Sequence, residues 1–231
     1  MNNTKNNYQI SSSSLIDSAV QCCEKQCKHH ACVLHHRCQP IPIADINSDA
    51  FQQALQFAAA KRQQLQGIGI AANQLGLPYQ FFLIERDPNN SRYKTAVKNE
   101  IYIPLTYYIN PIITAVSNER VCLYHGCLSC VGANRGLVAT YKTIDVEYYT
   151  EKATKVARQL SAWEAIIFQH EYNHLLGRTY LNVAKEYIST EQLLADNDGK
   201  VPAPREIAAI EDIPVMIPKA WIGMRIEDIV N

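Results

Sequence analysis

Gln169-His170-Glu171-Tyr172-Asn173-His174-Leu175-Leu176-Gly177 contains an H-E-x-x-H pattern. On a helix, residues i and i+4 share one face, so the imidazoles of His170 and His174 can reach a single metal ion. Glu171 then stands beside the ion, where it can hold a proton of water. Two histidines leave such a site incomplete, because a catalytic site of the zinc type takes three protein ligands and keeps one position for water. The third ligand must come from elsewhere in the chain.

The flanks support a helix. Ser161 followed by Glu164 has the form of a capping box, and Gly177 suits the left-handed position just past a helix end. Trp163, Ile167, His170 and His174 fall on one stripe, which predicts a face turned into the core. Histidines on a buried face need partners, and a metal supplies one to each. The competing reading is two core histidines hydrogen-bonded to backbone; the glutamate, the spacing and the caps favour the metal.

Working outward, the 231 residues suffice for one good core and a small appendage. Apolar residues are 47% and charged residues 19%, ordinary for a soluble globular protein. Lys+Arg and Asp+Glu both total 22, so charge gives no argument for nucleic acid or an anionic membrane as a partner. No apolar run approaches the roughly 18 residues of a membrane helix. No apolar signal-like segment follows Met1-Asn-Asn-Thr-Lys-Asn-Asn7, and the eight cysteines cluster rather than frame a secreted scaffold. The expectation is a reducing, cytoplasmic location with cysteines as thiols or ligands.

Residues 1–38 read as an N-terminal extension. Its first part, with Ser11 to Ser14, is expected to be disordered. A Cys/His cluster from Cys22 to Cys38 follows, with spacings that fit no standard zinc module; a second zinc site competes there with a short Leu15-to-Cys32 helix carrying incidental thiols. After Pro40-Ile-Pro42, a helix is predicted from Asp49, capped by Asp49 with Gln52 and stopped at Gly67. Gly67-Ile68-Gly69-Ile70-Ala71-Ala72-Asn73-Gln74 is no nucleotide loop, because a helix precedes it; its glycines permit unusual backbone angles or close approach of another chain. Strands are predicted at Gln80–Glu85, Tyr107–Asn110 (ended by Pro111), Ile112–Val116, Val121–Tyr124, Leu137–Thr140 and Ile144–Tyr149, with a polar loop over 86–100. Strands on either side of one long helix predict an α+β fold, antiparallel sheets around a central metal-binding helix. Pro202, Pro204, Pro214 and Pro218 make residues 191–231 an extended segment packed on the domain.

For the third ligand the residues alone offer Cys127 and Cys130, with His125 as an outsider. Taken together, GIGIAANQ at Gly67–Gln74, HGCLS at His125–Ser129 and QHEYNHLLG at Gln169–Gly177 resemble, in order and interval, the three motifs of the peptide deformylases. The resemblance spans roughly residues 40–185, within a catalytic domain placed at 39–190. It implies metal-dependent hydrolysis of the formyl group from N-formylmethionine on new peptides. It further implies Cys127, His170 and His174 as ligands, Glu171 as general acid/base, and Gln74 with the Leu128 N–H as donors to the formyl oxygen.

On the same ground Ile68, Leu123, Ile166 and Ile167 would line the methionine pocket. The peptide would run along Gly67–Ile70 by Gly69, near Gly126, with Arg135 in the recognition loop. The implied cofactor is one divalent ion: iron(II) in the cell, with zinc or nickel as substitutes. The implied partners are formylmethionyl peptides and nascent chains at the ribosome, with no direct nucleic-acid or membrane contact. The chain departs from the pattern where His125 replaces a glutamate and Val131 a proline, and the loop to Leu137 is one residue longer. These departures leave room for another N-acyl or amide substrate, or for metal binding without turnover.

Overall fold

Ser48 opens the first long helix, α1 (Asp49–Gln64), its hydroxyl accepting a hydrogen bond from Phe51 N at 3.3 Å. The cap is therefore Ser48, one residue before the predicted Asp49, which lies in the first turn and complements the helix dipole instead. The helix also stops short of Gly67. Gln66 takes the left-handed conformation (φ 53°), and Arg62 closes the end by accepting from Gly67 N and donating to Gly67 O, both at 2.9 Å.

The computed structural model describes residues 33–87, 102–130, 132, 134–199, 201–207 and 212–229. The expectations for Ser11–Ser14, for Cys22–Cys32, for most of the 86–100 loop and for Val131 lie outside the described residues. Nine strands follow α1 among them: β1 (Gly69–Ala71), β2 (Phe81–Arg86), β3 (Ile103–Val116), β4 (Arg120–His125), β5 (Arg135–Tyr141), β6 (Thr143–Tyr149), β7 (Lys155–Ser161), β8 (Tyr187–Ile188) and β9 (Arg205–Ile207). Helix α2 (Ala162–Leu175) follows β7, and the short α3 (Thr190–Ala195) follows β8.

The strands form two antiparallel sheets, ordered β1-β2-β3-β6-β7 and β8-β5-β4-β9. The expected α+β architecture holds, with α2 packed against β1, β2 and β7 of the first sheet and β5 of the second. Strand alternation explains how one sheet serves two cores. Phe81 and Leu83 of β2 join Phe51, Leu55 and Ala58 of α1, while Phe82 and Ile84 face Phe168, Tyr172 and Leu175 of α2. Burial of such side chains contributes about 1.5–3 kcal/mol each. No described helix is long and apolar enough to cross a membrane.

Several local expectations are corrected. Pro111 does not end a strand; β3 runs through it, because a register shift between Ile109 and Ile112 absorbs the missing N–H. At that bulge Asn110 is left-handed (φ 48°), and its side chain bonds both the N–H and the C=O of Ile41. The Ser161–Glu164 box does not form. Glu164 instead accepts from Tyr108 Oη at 2.6 Å and pairs with Arg158. Gly177 does take the left-handed position (φ 74°), where a Cβ would stand 2.9 Å from the His35 carbonyl. Rather than facing the core along one stripe, α2 is buried nearly all round, with Ala165, Phe168 and Gln169 fully enclosed.

The segment Val33–Cys38 packs against the site. Leu34 and Cys38 are buried, Cys38 N donates to Leu175 O at 2.9 Å, and the Leu34 carbonyl accepts from Asn73 Nδ2 at 3.2 Å. A chain starting after Cys38 is expected to be less stable than one starting at Val33 by about 2–4 kcal/mol, the scale of removing a buried leucine and its neighbours' hydrogen bonds. Urea unfolding of the two truncations checks this; equal midpoints would refute it.

Candidate active site and metal centre

Helix α2 presents His170, Glu171 and His174 toward the turn after β4, which carries Cys127. That turn is closed by Cys130 N donating to Cys127 O at 3.1 Å. Among the described residues, Cys127, His170 and His174 form a group whose ligand atoms all lie within 4.8 Å of one another. Cys130 and His125 are not part of it. Cys127 Sγ lies 3.2 Å from His174 Nε2 and receives Ser129 N at 3.4 Å.

The helix cannot slide past the strand it faces. Gln169 accepts from Tyr141 N and donates to Tyr141 O, both at 2.9 Å, and so ties α2 to β5. Asn73 Nδ2 donates to the His174 carbonyl at 2.5 Å. Gln74 is oriented by its own loop: Oε1 accepts from Ala71 N at 2.8 Å, which turns Nε2 toward Ser129 Oγ at 3.0 Å and Cys127 Sγ at 3.5 Å.

Burial sets the protonation states. It lowers His170 to about 4, and burial with the neighbouring His170 brings His174 well below the usual imidazole range, so both rings are neutral and able to ligate. Burial pushes the Glu171 carboxyl up to about 8. The adjacent Cys130 thiol, together with burial, holds Cys127 well above the ordinary thiol range. Glu171 Oε2 is enclosed with no hydrogen-bond partner. One sulfur, two neutral imidazoles and an unpartnered carboxylate oxygen fit a divalent cation of borderline softness, whose charge would offset both acidic groups.

Beside the donors lies a cavity of about 490 Å³, within the range of small-ligand pockets. Of the residues named from sequence, Gln74, Cys127, Leu128, His170 and Glu171 line it. Ile68, Gly69, Leu123, Gly126, Arg135, Ile166 and Ile167 line it as well. His174 alone is set behind, fully buried. Arg135 passes close over Gly126 and donates through Nε to Thr190 Oγ1 at 3.3 Å.

Sequence reasoning did not assign Arg86, Trp163, Tyr180, Thr190 or Val201 to the cavity they also line. Arg86 is buried with its guanidinium 5.8 Å from the Trp163 ring centre. The available signal was a charged residue in alternation with Phe82 and Ile84, on the same face of the strand. Thr190 and Val201 carry none, because they reach the site from beyond the central helix, outside all three motifs.

Gly69 of β1 lies directly under Glu171, and a Cβ there would stand 2.5 Å from Oε1. Gly69→Ala is expected to displace the carboxylate and lower kcat about tenfold or more while the chain still takes up metal, since small misplacements of a reacting group are costly. Unchanged kcat in a correctly folded variant would refute this.

A family profile described as polypeptide deformylase matches residues 24–188. The chain belongs to the polypeptide deformylase family. Deformylases are metal-dependent, in keeping with the Cys127, His170 and His174 group. The chloroplastic peptide deformylase 1A of Solanum lycopersicum is 29% identical over 65% of this chain and 55% of its own. The chain thus spans about half the length of that relative. A Nostoc peptide deformylase 2 is 33% identical over 64% of this chain and 79% of its own. A class I type b peptide deformylase from Acinetobacter baumannii, solved with Met-Ala-Ser bound, superposes with a TM-score of 0.61 at 26% identity, covering 67% of this chain and 94% of that one.

Proposed function

We propose that this deformylase-family chain removes the formyl group from N-formylmethionine at the start of newly made peptides. The observation that carries the reading is Glu171, a buried carboxylate with an unpartnered oxygen, beside three metal donors in a peptide-sized cavity. A protein that only stored metal would need neither this group nor Gln74.

On this reading Cys127, His170 and His174 hold one divalent ion, iron(II) in the cell with zinc or nickel as substitutes, which when bound supplies Lewis acidity to water and to the formyl carbonyl. Glu171 takes the proton of the attacking water and passes it to the leaving amine nitrogen. Gln74 Nε2 and the Leu128 N–H donate to the oxygen as it gains charge, and the bond from Ala71 N to Gln74 Oε1 keeps that amide aimed. The peptide backbone pairs with β1, whose outer edge no described strand covers, and Gly69 allows its close approach. Ile68, Leu123, Ile166 and Ile167, which line the cavity, surround the methionine side chain. Arg135 lies where it can meet the peptide beyond it.

The partners are formylmethionyl peptides and nascent chains at the ribosome, in the cytoplasm. Residues 1–38 form an extension, 39–190 the catalytic unit and 191–231 a tail that adds β9 beside β4.

Metal content and turnover of a formyl-Met-Ala-Ser peptide, measured on protein prepared without oxygen, test the reading. One metal per chain with turnover is expected, and full metal without turnover would overturn it. Gln74→Ala is expected to keep its metal and lose about 10²-fold in kcat, as for other oxyanion donors; a change below threefold would remove Gln74 from the mechanism.

A further inference from the structure

His125 ends β4 two residues before Cys127 and is buried. Its ring lies against that of His170, with centroids 5.4 Å apart and planes 11° from parallel. The two Nδ1 atoms are 3.2 Å apart. At that distance one Nδ1 donates and the other accepts, so the pair holds one proton between them. Because His170 Nδ1 is turned to His125, Nε2 is the nitrogen left to offer an ion. A neutral His170 that offers Nε2 keeps its proton on Nδ1 and is the donor. His125 is then the acceptor and keeps its own proton on Nε2, an enclosed atom without a partner.

We infer that His125 is a positioning residue of the metal centre: its Nδ1 accepts the bond from His170 Nδ1–H and fixes the tautomer and ring plane that present His170 Nε2 to a divalent ion. This rests on the reading of His170 as a ligand. Metal-bound histidines generally donate their second N–H, and a carboxylate is a common acceptor. An imidazole gives the same direction without a charge. Here that avoids adding a further buried anion near Cys127, whose ionisation the Glu171 charge already disfavours.

Two variants separate hydrogen bonding from packing. His125→Leu keeps bulk and removes the acceptor, and His125→Gln supplies an amide oxygen in its place. Zinc dissociation constants, read by competition with a chromophoric chelator, are expected to rise about tenfold or more for His125→Leu and to stay within about threefold for His125→Gln. The cobalt-loaded forms should follow the same division, with the visible bands of His125→Leu alone displaced. Nitrogen-15 spectra of the zinc-loaded wild type should give His170 as the Nδ1–H tautomer and His125 as the Nε2–H tautomer.

Wild-type affinity in a folded His125→Leu overturns the assignment. So does an equal loss in both variants, which would mean that ring volume matters and the acceptor does not. A protonated His125 Nδ1 in the wild type overturns it even if His125→Leu fails to fold. Failure of the wild type to bind zinc at all would overturn the metal centre and this role together, whereas normal wild-type binding with an unaffected His125→Leu overturns this role alone.

Discussion

Glu171→Gln is expected to retain its metal and to lose about 10²-fold or more in kcat, the scale of general acid–base catalysis. The substitution keeps size and hydrogen bonding and removes the basic oxygen. Glu171 is buried, with Gly69 of β1 directly against its carboxylate. Its neighbours His170 and His174 supply the ring nitrogens, and the metal group forms without it. Metal analysis and kinetics on the same preparations decide the matter. Loss of metal from the variant would make Glu171 a ligand or a structural group. Equal turnover by variant and wild type would remove the carboxylate from the reaction.

Metal affinity is expected to rise steeply with pH, by about 10² per unit between pH 6 and 7, because two groups there must give up protons. The hydrogen-bonded Cys130 thiol, together with burial, leaves Cys127 a thiol well above neutrality, and burial puts the Glu171 carboxyl at about 8, while His170 and His174 are already neutral. Binding a cation favours thiolate and carboxylate, so it releases one proton from each; raising the pH removes that cost and favours binding. Above pH 8 Glu171 is already ionised and the dependence should fall to about tenfold per unit. In Glu171→Gln the tenfold dependence should hold across the whole range. Zinc competition titrations from pH 6 to 9, corrected for the chelator, give the slope. A flat profile, or one that Glu171→Gln leaves unchanged, would refute the assignment of these two protons.

The central helix was legible because its signals are local: the i, i+4 histidines, the glutamate between them and Gly177 at the left-handed end all act within one segment. Its cap was misread because Glu164 found longer-range partners in Tyr108 and Arg158. Strand β7 escaped notice because most of its residues are exposed and it shows no apolar alternation. Two strands were expected where β3 is one, because a bulge that accommodates Pro111 is a property of the pairing and not of the residue. Residues alone left the third donor open between Cys127, Cys130 and His125. The choice depends on how the turn after β4 meets α2, a contact between segments more than forty residues apart in the chain.

Strand β1 spans only Gly69–Ala71 and stands at the border of its sheet. An uncovered border is an invitation to self-association, since any extended backbone can zip onto it. Three residues give too few rungs for two copies of the protein to hold together in this way, yet enough for a short guest pinned at one end by a side-chain pocket. The same brevity limits how much of the guest is felt. Backbone rungs do not distinguish one side chain from another, so a substrate would be selected by its first residue and handled alike thereafter. On the proposed function, a catalyst acting on many different peptide beginnings would gain this indifference from a short docking rail.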